Sequence, residues 1–366
     1  MRIGIITITE GENLGNRLQN YAVQECLKKY KNVEVETIHN YKNQKIKSYK
    51  IGEVKRKIKT YVKVIVGYKR KENCNFLKRL KKFKKFNKKN IKYSKFSISN
   101  VEINENINKD YDYFICGSDQ IWNSNYKENS HVNFLQFADA TKRIAFSPSF
   151  GTSSINSNMK DDYSKWLKEI PKLSVREERG KEIIKELTGR QDVEVLVDPT
   201  MLLTSEEWNK VSQKPKELNT NKFVLNYFLG ELSKERATEI ERIANENNCQ
   251  IINIFDMNSP FYAVGPSEFL YLEKNAFLIC TDSFHSCVFA MLYKRPFIVF
   301  DREDSNVKMN SRLETLLDKF DLKDRWFSGK LRNEQLKLDY TNTYDILEKE
   351  RKKANGFLIK ALNIES

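Results

Sequence analysis

Short apolar runs that end in small or polar residues recur along the chain, separated by stretches with helical spacing. No other feature restricts the fold as much. The runs are RIGIITI (2–8), VEVETIH (33–39), YDYFICGSD (111–119), RIAFSPSFG (143–151), KLSVR (172–176), VEVLVDP (193–199), FVLNYFL (223–229), CQIINIF (249–255), AFLICTD (276–282) and PFIVF (296–300). Strands buried on both faces read as such runs, and strands alternating with helices imply parallel pairing through right-handed crossovers. The first unit is explicit. After RIGIITI comes NRLQNYAVQECLKKY (16–30), with Leu18, Ala22, Val23, Cys26 and Leu27 at helical spacing, and then the second strand.

At 366 residues the chain exceeds one ordinary core. The spacing predicts a Rossmann-like domain over 1–170 and a second over 171–325. A helical segment over 326–366 includes a helix at 343–362 that packs back on the first domain. The fold class is α/β, two doubly wound domains facing a cleft, because open α/β sheets bind ligands beyond the carboxyl ends of their strands. Helix patterns such as 161–170, 177–187 and 233–247 fill the intervals.

Charge is unevenly placed. Residues 42–96 hold 22 Lys/Arg and two acids, Glu53 and Glu72, in a chain whose net charge is +15; the rest is mildly acidic. Within this basic insert of the first domain, Ile51, Val54, Ile58, Val62 and Ile65 have helical spacing. So do Phe76, Leu80, Phe83 and Phe86, giving two helices. The insert is either a solvated basic face or a contact for an anionic membrane or phosphate-bearing acceptor. No nucleic-acid recognition fold surrounds it, so nucleic acid is not an expected partner. The six scattered cysteines suggest neither a disulfide framework nor a metal site. With no apolar run of membrane-spanning length and no signal-peptide pattern, the expectation is a cytoplasmic protein, at most peripheral on the inner face of the membrane.

Several strand ends carry chemistry. In ICTDSFHSCVFA (279–290), Asp282 or Ser283 caps a helix running from Phe284 to Tyr293. His285 lies in its first turn, flanked by Ser283 and Ser286, where backbone N–H groups favour an anion. His285 is either a packed helix-start residue or a neutral base or donor. In DYFICGSDQIWN (112–123), Ser118, Asp119, Gln120 and Asn123 offer hydroxyl, carboxylate and amide groups for sugar hydroxyls, and Trp122 offers a stacking face; the alternative is a capped turn. Asn16 and Arg17 follow the TEGENLGN loop, as anion or sugar ligands or as a plain cap. Arg176 ends KLSVR, either facing the cleft as a bidentate clamp or lying among surface glutamates. Asp198 reads as a strand-end turn.

Taken in order, NLGNRLQNYAVQECL, DYFICGSDQIWN, SVREERG, VDPTMLL with EEW, GPSEFLYLEKNAFLICTDSFHSCVFA, KRPFIVF and NSRLETLL resemble the polysaccharide pyruvyl transferase family across nearly the whole chain outside the basic insert and the C-terminal helix. The resemblance implies a GT-B-like fold. It also implies transfer of pyruvate from phosphoenolpyruvate to two hydroxyls of one sugar, closing a cyclic ketal and releasing phosphate. The products would be capsule, exopolysaccharide or cell-wall polymers, made on a glycan or a lipid-linked precursor, with no cofactor. It makes His285 and Arg176, with Ser283 and Ser286, the phosphoenolpyruvate ligands, and His285 a proton carrier. Asp119 would then face them from the other domain as base or acceptor ligand. Where some members carry Arg two residues before the His, this chain has Ser283, so a second anion clamp is sought among Arg17, Arg295, Arg302 and Arg312. Two other functions compete: a glycosyltransferase using a nucleotide sugar, and a non-catalytic glycan- or lipid-binding protein.

Overall fold

The computed structural model describes residues 1–41, 43–104, 106–126, 129–302 and 311–364. Lys42, the first residue of the basic stretch, and Asn310, the first of NSRLETLL, lie outside them. The chain divides into two compact units. One comprises Met1–Lys55, Asn90–Leu203 and Glu348–Ser366, the other Arg56–Lys89 and Thr204–Leu347.

In chain order the first unit contains strand β1 (Arg2–Ile6), helix α1 (Leu14–Lys28) and strand β2 (Glu34–Asn40). The basic helices α2 (Ile46–Ile65) and α3 (Arg70–Asn90) then intervene before strand β3 (Tyr93–Ile98). Next come α4 (Ile107–Asp110), β4 (Tyr113–Cys116), β5 (Arg143–Ala145), α5 (Lys160–Lys168), β6 (Lys172–Val175), α6 (Glu178–Thr188) and β7 (Glu194–Val195). The second unit contains α7 (Ser205–Asn209), β8 (Phe223–Tyr227), α8 (Lys234–Glu246), β9 (Gln250–Asn253), α9 (Pro266–Asn275), β10 (Leu278–Thr281), α10 (Phe284–Leu292), β11 (Phe297–Val299) and α11 (Ser311–Lys319). Helix α12 (Thr341–Ala361) begins in the second unit and ends in the first.

Among the described residues the first sheet has seven strands in the order β3-β2-β1-β4-β5-β6-β7, all pairs parallel. The order reverses direction between β1 and β4, which opens a crevice at their carboxyl ends. One face of this sheet packs Ile3, Ile5, Val35 and Ile144 against Val23 and Leu27 of α1 and Phe357, Leu358 and Leu362 at the end of the chain. The other face packs Phe114 and Cys116 against Tyr163 and Leu167 of α5 and Ile183 and Ile184 of α6. Helix α1 is buried nearly all round, so its polar Gln19, Asn20 and Gln24 must bond internally. Gln19 donates to the Thr7 hydroxyl at 2.7 Å, Gln24 to the Thr37 hydroxyl at 2.8 Å, and Thr37 to Asn20 at 2.6 Å.

The second sheet has the order β11-β10-β8-β9, again parallel, with its reversal between β8 and β10. Val224, Leu278, Cys280 and Ile298 pack against Ile240, Ile243 and Ala244 of α8.

Three placements differ from the sequence reading. KLSVR and VEV were read as opening the second domain, but β6 pairs with β5 and β7 with β6, in the first sheet. KYSKFSI, read as part of the basic insert, forms the edge strand β3; its lysines and serines suit an edge and obscure the strand pattern. The insert leaves the first sheet between β2 and β3, yet from Arg56 to Lys89 it clusters with the second unit.

Candidate functional site

The carboxyl ends of β1 and β4 border a cavity of about 220 Å³. Its lining includes the carboxamides of Asn13, Asn16, Asn40, Gln120, Asn129 and Asn133, the hydroxyls of Thr7, Thr9 and Tyr126, and the carboxylates of Glu10 and Asp119. Among the described residues that line it there is no lysine or arginine. Amides present both donor and acceptor, so such a wall matches a neutral polyhydroxylated ligand better than an anion.

Each wall has a local cause. The Asn13 side chain caps α1 by accepting the Asn16 N–H at 3.1 Å, which sets Asn16 in the first turn. Asn40, the last residue of β2, donates to Asn133 at 3.0 Å, and Asn133 donates to Asn129 at 2.9 Å, forming a ladder of amides. Asp119 has left-handed backbone (φ 71°), and its carboxylate accepts the Gln120 N–H at 2.8 Å. Behind Gln120 lies Gly151, at φ +66°, where an added Cβ would fall 2.2 Å from the Gln120 Oε1. Only glycine permits that approach.

Beneath the cavity is a buried charge network. Arg176, whose side chain is 1% exposed, pairs with Asp198 at 2.5 Å and approaches Asp119 at 3.7 Å. Asp198 also accepts from the Ser118 hydroxyl at 2.7 Å and from the Thr200 N–H and hydroxyl at 2.9 and 2.6 Å. Burial by itself would depress the Arg176 pKa, but the field of Asp198, Asp119 and Glu177 outweighs it and raises the value. Glu177 in turn holds the β5 loop, accepting from the Ser149 hydroxyl and the Phe150 N–H, both at 2.9 Å.

This geometry corrects several expectations. Asp119 and Arg176 belong to the same unit rather than to opposite domains. Arg176 is buried under the Asp119 loop, its guanidinium on Asp198 and near Asp119 rather than open at a cleft surface. Trp122 is fully buried, stacked on Phe134 at 5.0 Å with its indole N–H on the Asn133 carbonyl, so it is core and not a sugar platform. Tyr126, 42% exposed at the cavity, is the aromatic in that position. Asn123 is 2% exposed and stitches its own loop through Gln120 and the Asn125 N–H. Ser118 is spent on Asp198. Arg17 is buried, donating to the Ile8 and Gly11 carbonyls at 3.4 and 2.6 Å, and so shapes the β1 loop. Of the acceptor residues read from the sequence, Asn16 and Gln120 line the cavity, and Asp119 with them. Asn40 was missed although the rule that strand ends carry function applies to β2; Asn129 lies in irregular chain and Asn133 in the short 3-10 helix His131–Phe134, neither with a periodic signal.

In the second unit the ends of β8 and β10 meet at the other reversal point. The Asp282 carboxylate accepts the Leu229 and Gly230 N–H groups at 2.7 and 2.8 Å and pairs with Arg302 at 3.2 Å. Ser283 is the N-cap residue of α10 without a side-chain cap bond; it is 2% exposed, and its backbone N–H donates to the Thr281 hydroxyl at 2.9 Å. Ser286 donates inward to Glu273 at 2.6 Å, and burial pushes that carboxyl well above the usual range. Ser286 is therefore bonded inward, a correction to its expected contact with an anion, while Ser283 is buried at the start of the helix. His285 sits in the first turn of α10, 6% exposed, its ring edge-on to Phe284 at 5.5 Å. Of the four arginines considered as a further clamp, Arg302 is the one fixed at this strand end. Arg17 lies in the other unit and Arg295 follows the far end of α10. Arg312 is buried on α11.

Two parallel doubly wound sheets, each with its polar cluster at the reversal point, define an α/β protein of the GT-B-like class. The likeness extends to UDP-GlcNAc 2-epimerase from Methanocaldococcus jannaschii (15% identity, all of both chains covered, TM-score 0.51). It extends also to UDP-GlcNAc 2-epimerase from Neisseria meningitidis bound to UDP-GlcNAc (12% identity, all of both chains covered, TM-score 0.50). At these identities the likeness is one of fold. A search of curated proteins returns no match. The sequence profile described as Polysaccharide pyruvyl transferase matches residues 13–305, and the chain belongs to that family.

Proposed function

We propose that the protein transfers a pyruvyl group from phosphoenolpyruvate to two hydroxyls of one sugar in a polysaccharide or its lipid-linked precursor. The match of the family profile over residues 13–305 carries the reading. Protonation of the donor's C3 methylene makes C2 electrophilic. One sugar hydroxyl adds there and loses its proton, the C2–O bond to phosphate breaks, and the second hydroxyl adds and loses its proton to close the ketal. One proton ends in the new methyl group and the other leaves with phosphate.

The amide-lined cavity of the first unit suits the acceptor, with Asn16, Asn40 and Gln120 as hydrogen-bond partners and Tyr126 as the stacking face. Asp119 is the carboxylate placed to receive a hydroxyl proton. In the second unit, His285 is the candidate proton carrier for C3. Arg302 and the N–H groups opening α10 are the candidate ligands of phosphate and carboxylate.

The test is phosphate release from phosphoenolpyruvate by the purified protein across a panel of glycans and lipid-linked sugars, with the ketal methyl followed by NMR. Release that requires an acceptor is expected. His285→Ala should abolish it, and Gln120→Ala should raise the acceptor KM. Release of UDP or GDP from a nucleotide sugar, with none of phosphate, would replace the reading by a glycosyltransferase.

A further inference from the structure

The two basic helices put their apolar residues to opposite uses. Helix α3 turns Phe83 and Phe86 inward and is fastened to the second unit. Asn75 donates to the Met257 and Ser259 carbonyls, both at 3.0 Å, Arg79 donates to the Tyr262 carbonyl at 2.9 Å, and Lys82 pairs with Glu268 at 2.8 Å. Helix α2 buries one residue, Thr60. Its Ile51, Val54, Ile58, Tyr61, Val62 and Ile65 are all between 47 and 82% exposed.

At about 100° per residue those six side chains fall within an arc of about 100°, a single stripe on the side away from Thr60, with Lys47 on the same line at its start. Lys50 and Lys57 border one side of the stripe, Lys55, Lys59 and Lys63 the other. Seven basic residues and one acid share the helix. The inward side is fixed by Thr60 and by the Arg56 guanidinium, 5.7 Å from the centre of the Phe76 ring on α3. The stripe therefore lies on the side of α2 away from α3, with Ile51 and Val54 at its start bordering an open groove that Glu102 also lines.

We infer that α2 docks the protein on an anionic bilayer surface, its isoleucine and valine stripe entering the acyl boundary and its flanking lysines meeting lipid phosphates. Charge complementarity selects this occupant. A protein interface core is depleted of charge, whereas an interfacial membrane helix joins an apolar face to a lysine-rich polar one. No helix among the described residues is long and apolar enough to cross a membrane, so the contact is parallel to the surface. The inference is independent of the catalytic reading.

The experiment is flotation of the full chain with vesicles of phosphatidylcholine alone or with about one third phosphatidylglycerol, at low and high salt. Binding to the anionic vesicles, at least about tenfold weaker on neutral ones and falling as salt rises, is expected. Ile58→Gln with Val62→Gln keeps every charge and should lower anionic binding about tenfold, with the melting temperature unchanged because both side chains are exposed. Equal binding to neutral vesicles would overturn the inference, as would binding insensitive to the double substitution. So would a wild-type dimer in solution that the substitution converts to monomer, because a second copy would then cover the stripe.

Discussion

Arg176→Ala separates a strut from a ligand. In the structure the guanidinium is enclosed with Asp198 and Asp119, and side-chain exposure of the pair with Asp198 is 1% and 0%. Removing one member of a buried ion pair leaves an uncompensated charge, a loss of about 3–5 kcal/mol. Asp198 keeps its bonds from Ser118 and Thr200, which places this case at the lower end, about 3–4 kcal/mol. For a unit of this size that lowers the melting temperature by about 6–16 °C. Adding Asp198→Asn neutralises the stranded carboxylate while retaining the acceptor for Thr200, and should recover about half of the loss. The assay is reversible thermal or urea unfolding near neutral pH of wild type, single and double variants. A single variant melting within about 2 °C of wild type, with phosphoenolpyruvate binding lost, would refute the strut and return Arg176 to the ligand role read from the sequence.

Glu273→Gln tests the buried acid beneath α10. Burial raises the Glu273 pKa, so its stabilising contribution is full below the unfolded value of about 4.3 and is lost as pH rises toward the folded one. The variant should melt above wild type at about pH 8 and close to it at about pH 4.5; parallel pH profiles would contradict the assignment. Gly151→Ala adds a Cβ against Gln120 at a positive φ, with an expected loss of about 1–2 kcal/mol and a raised acceptor KM, measured by denaturant melts and steady-state kinetics.

The sheets were legible because parallel strands are apolar throughout and end in recognisable polar residues. The boundary between units was less so. Nothing in KLSVR distinguishes a strand that extends the first sheet from one that opens the second, since register depends on which neighbour is already present. Strand β3 was hidden by its edge composition. At the site, the motif GSDQIWN gave the right loop but not the direction of its side chains. Ser118 turns inward while Asp119 and Gln120 both face the cavity across the left-handed turn at Asp119, and a count of the motif's polar groups cannot sense that turn. Trp122 followed from burial, which a local reading of a polar loop underestimates.

The Ser283 position has a structural reason rather than a missing part. Its side chain is 2% exposed, so an arginine there would have to displace the packing around the start of α10. The neighbouring Asp282 is already held by two backbone N–H groups and Arg302. A cation added at Ser283 would have to break that arrangement, whereas Arg302 supplies a positive charge at the same strand end without disturbing it. Its guanidinium is 18% exposed beside a nearly enclosed Asp282, which holds it at this strand end.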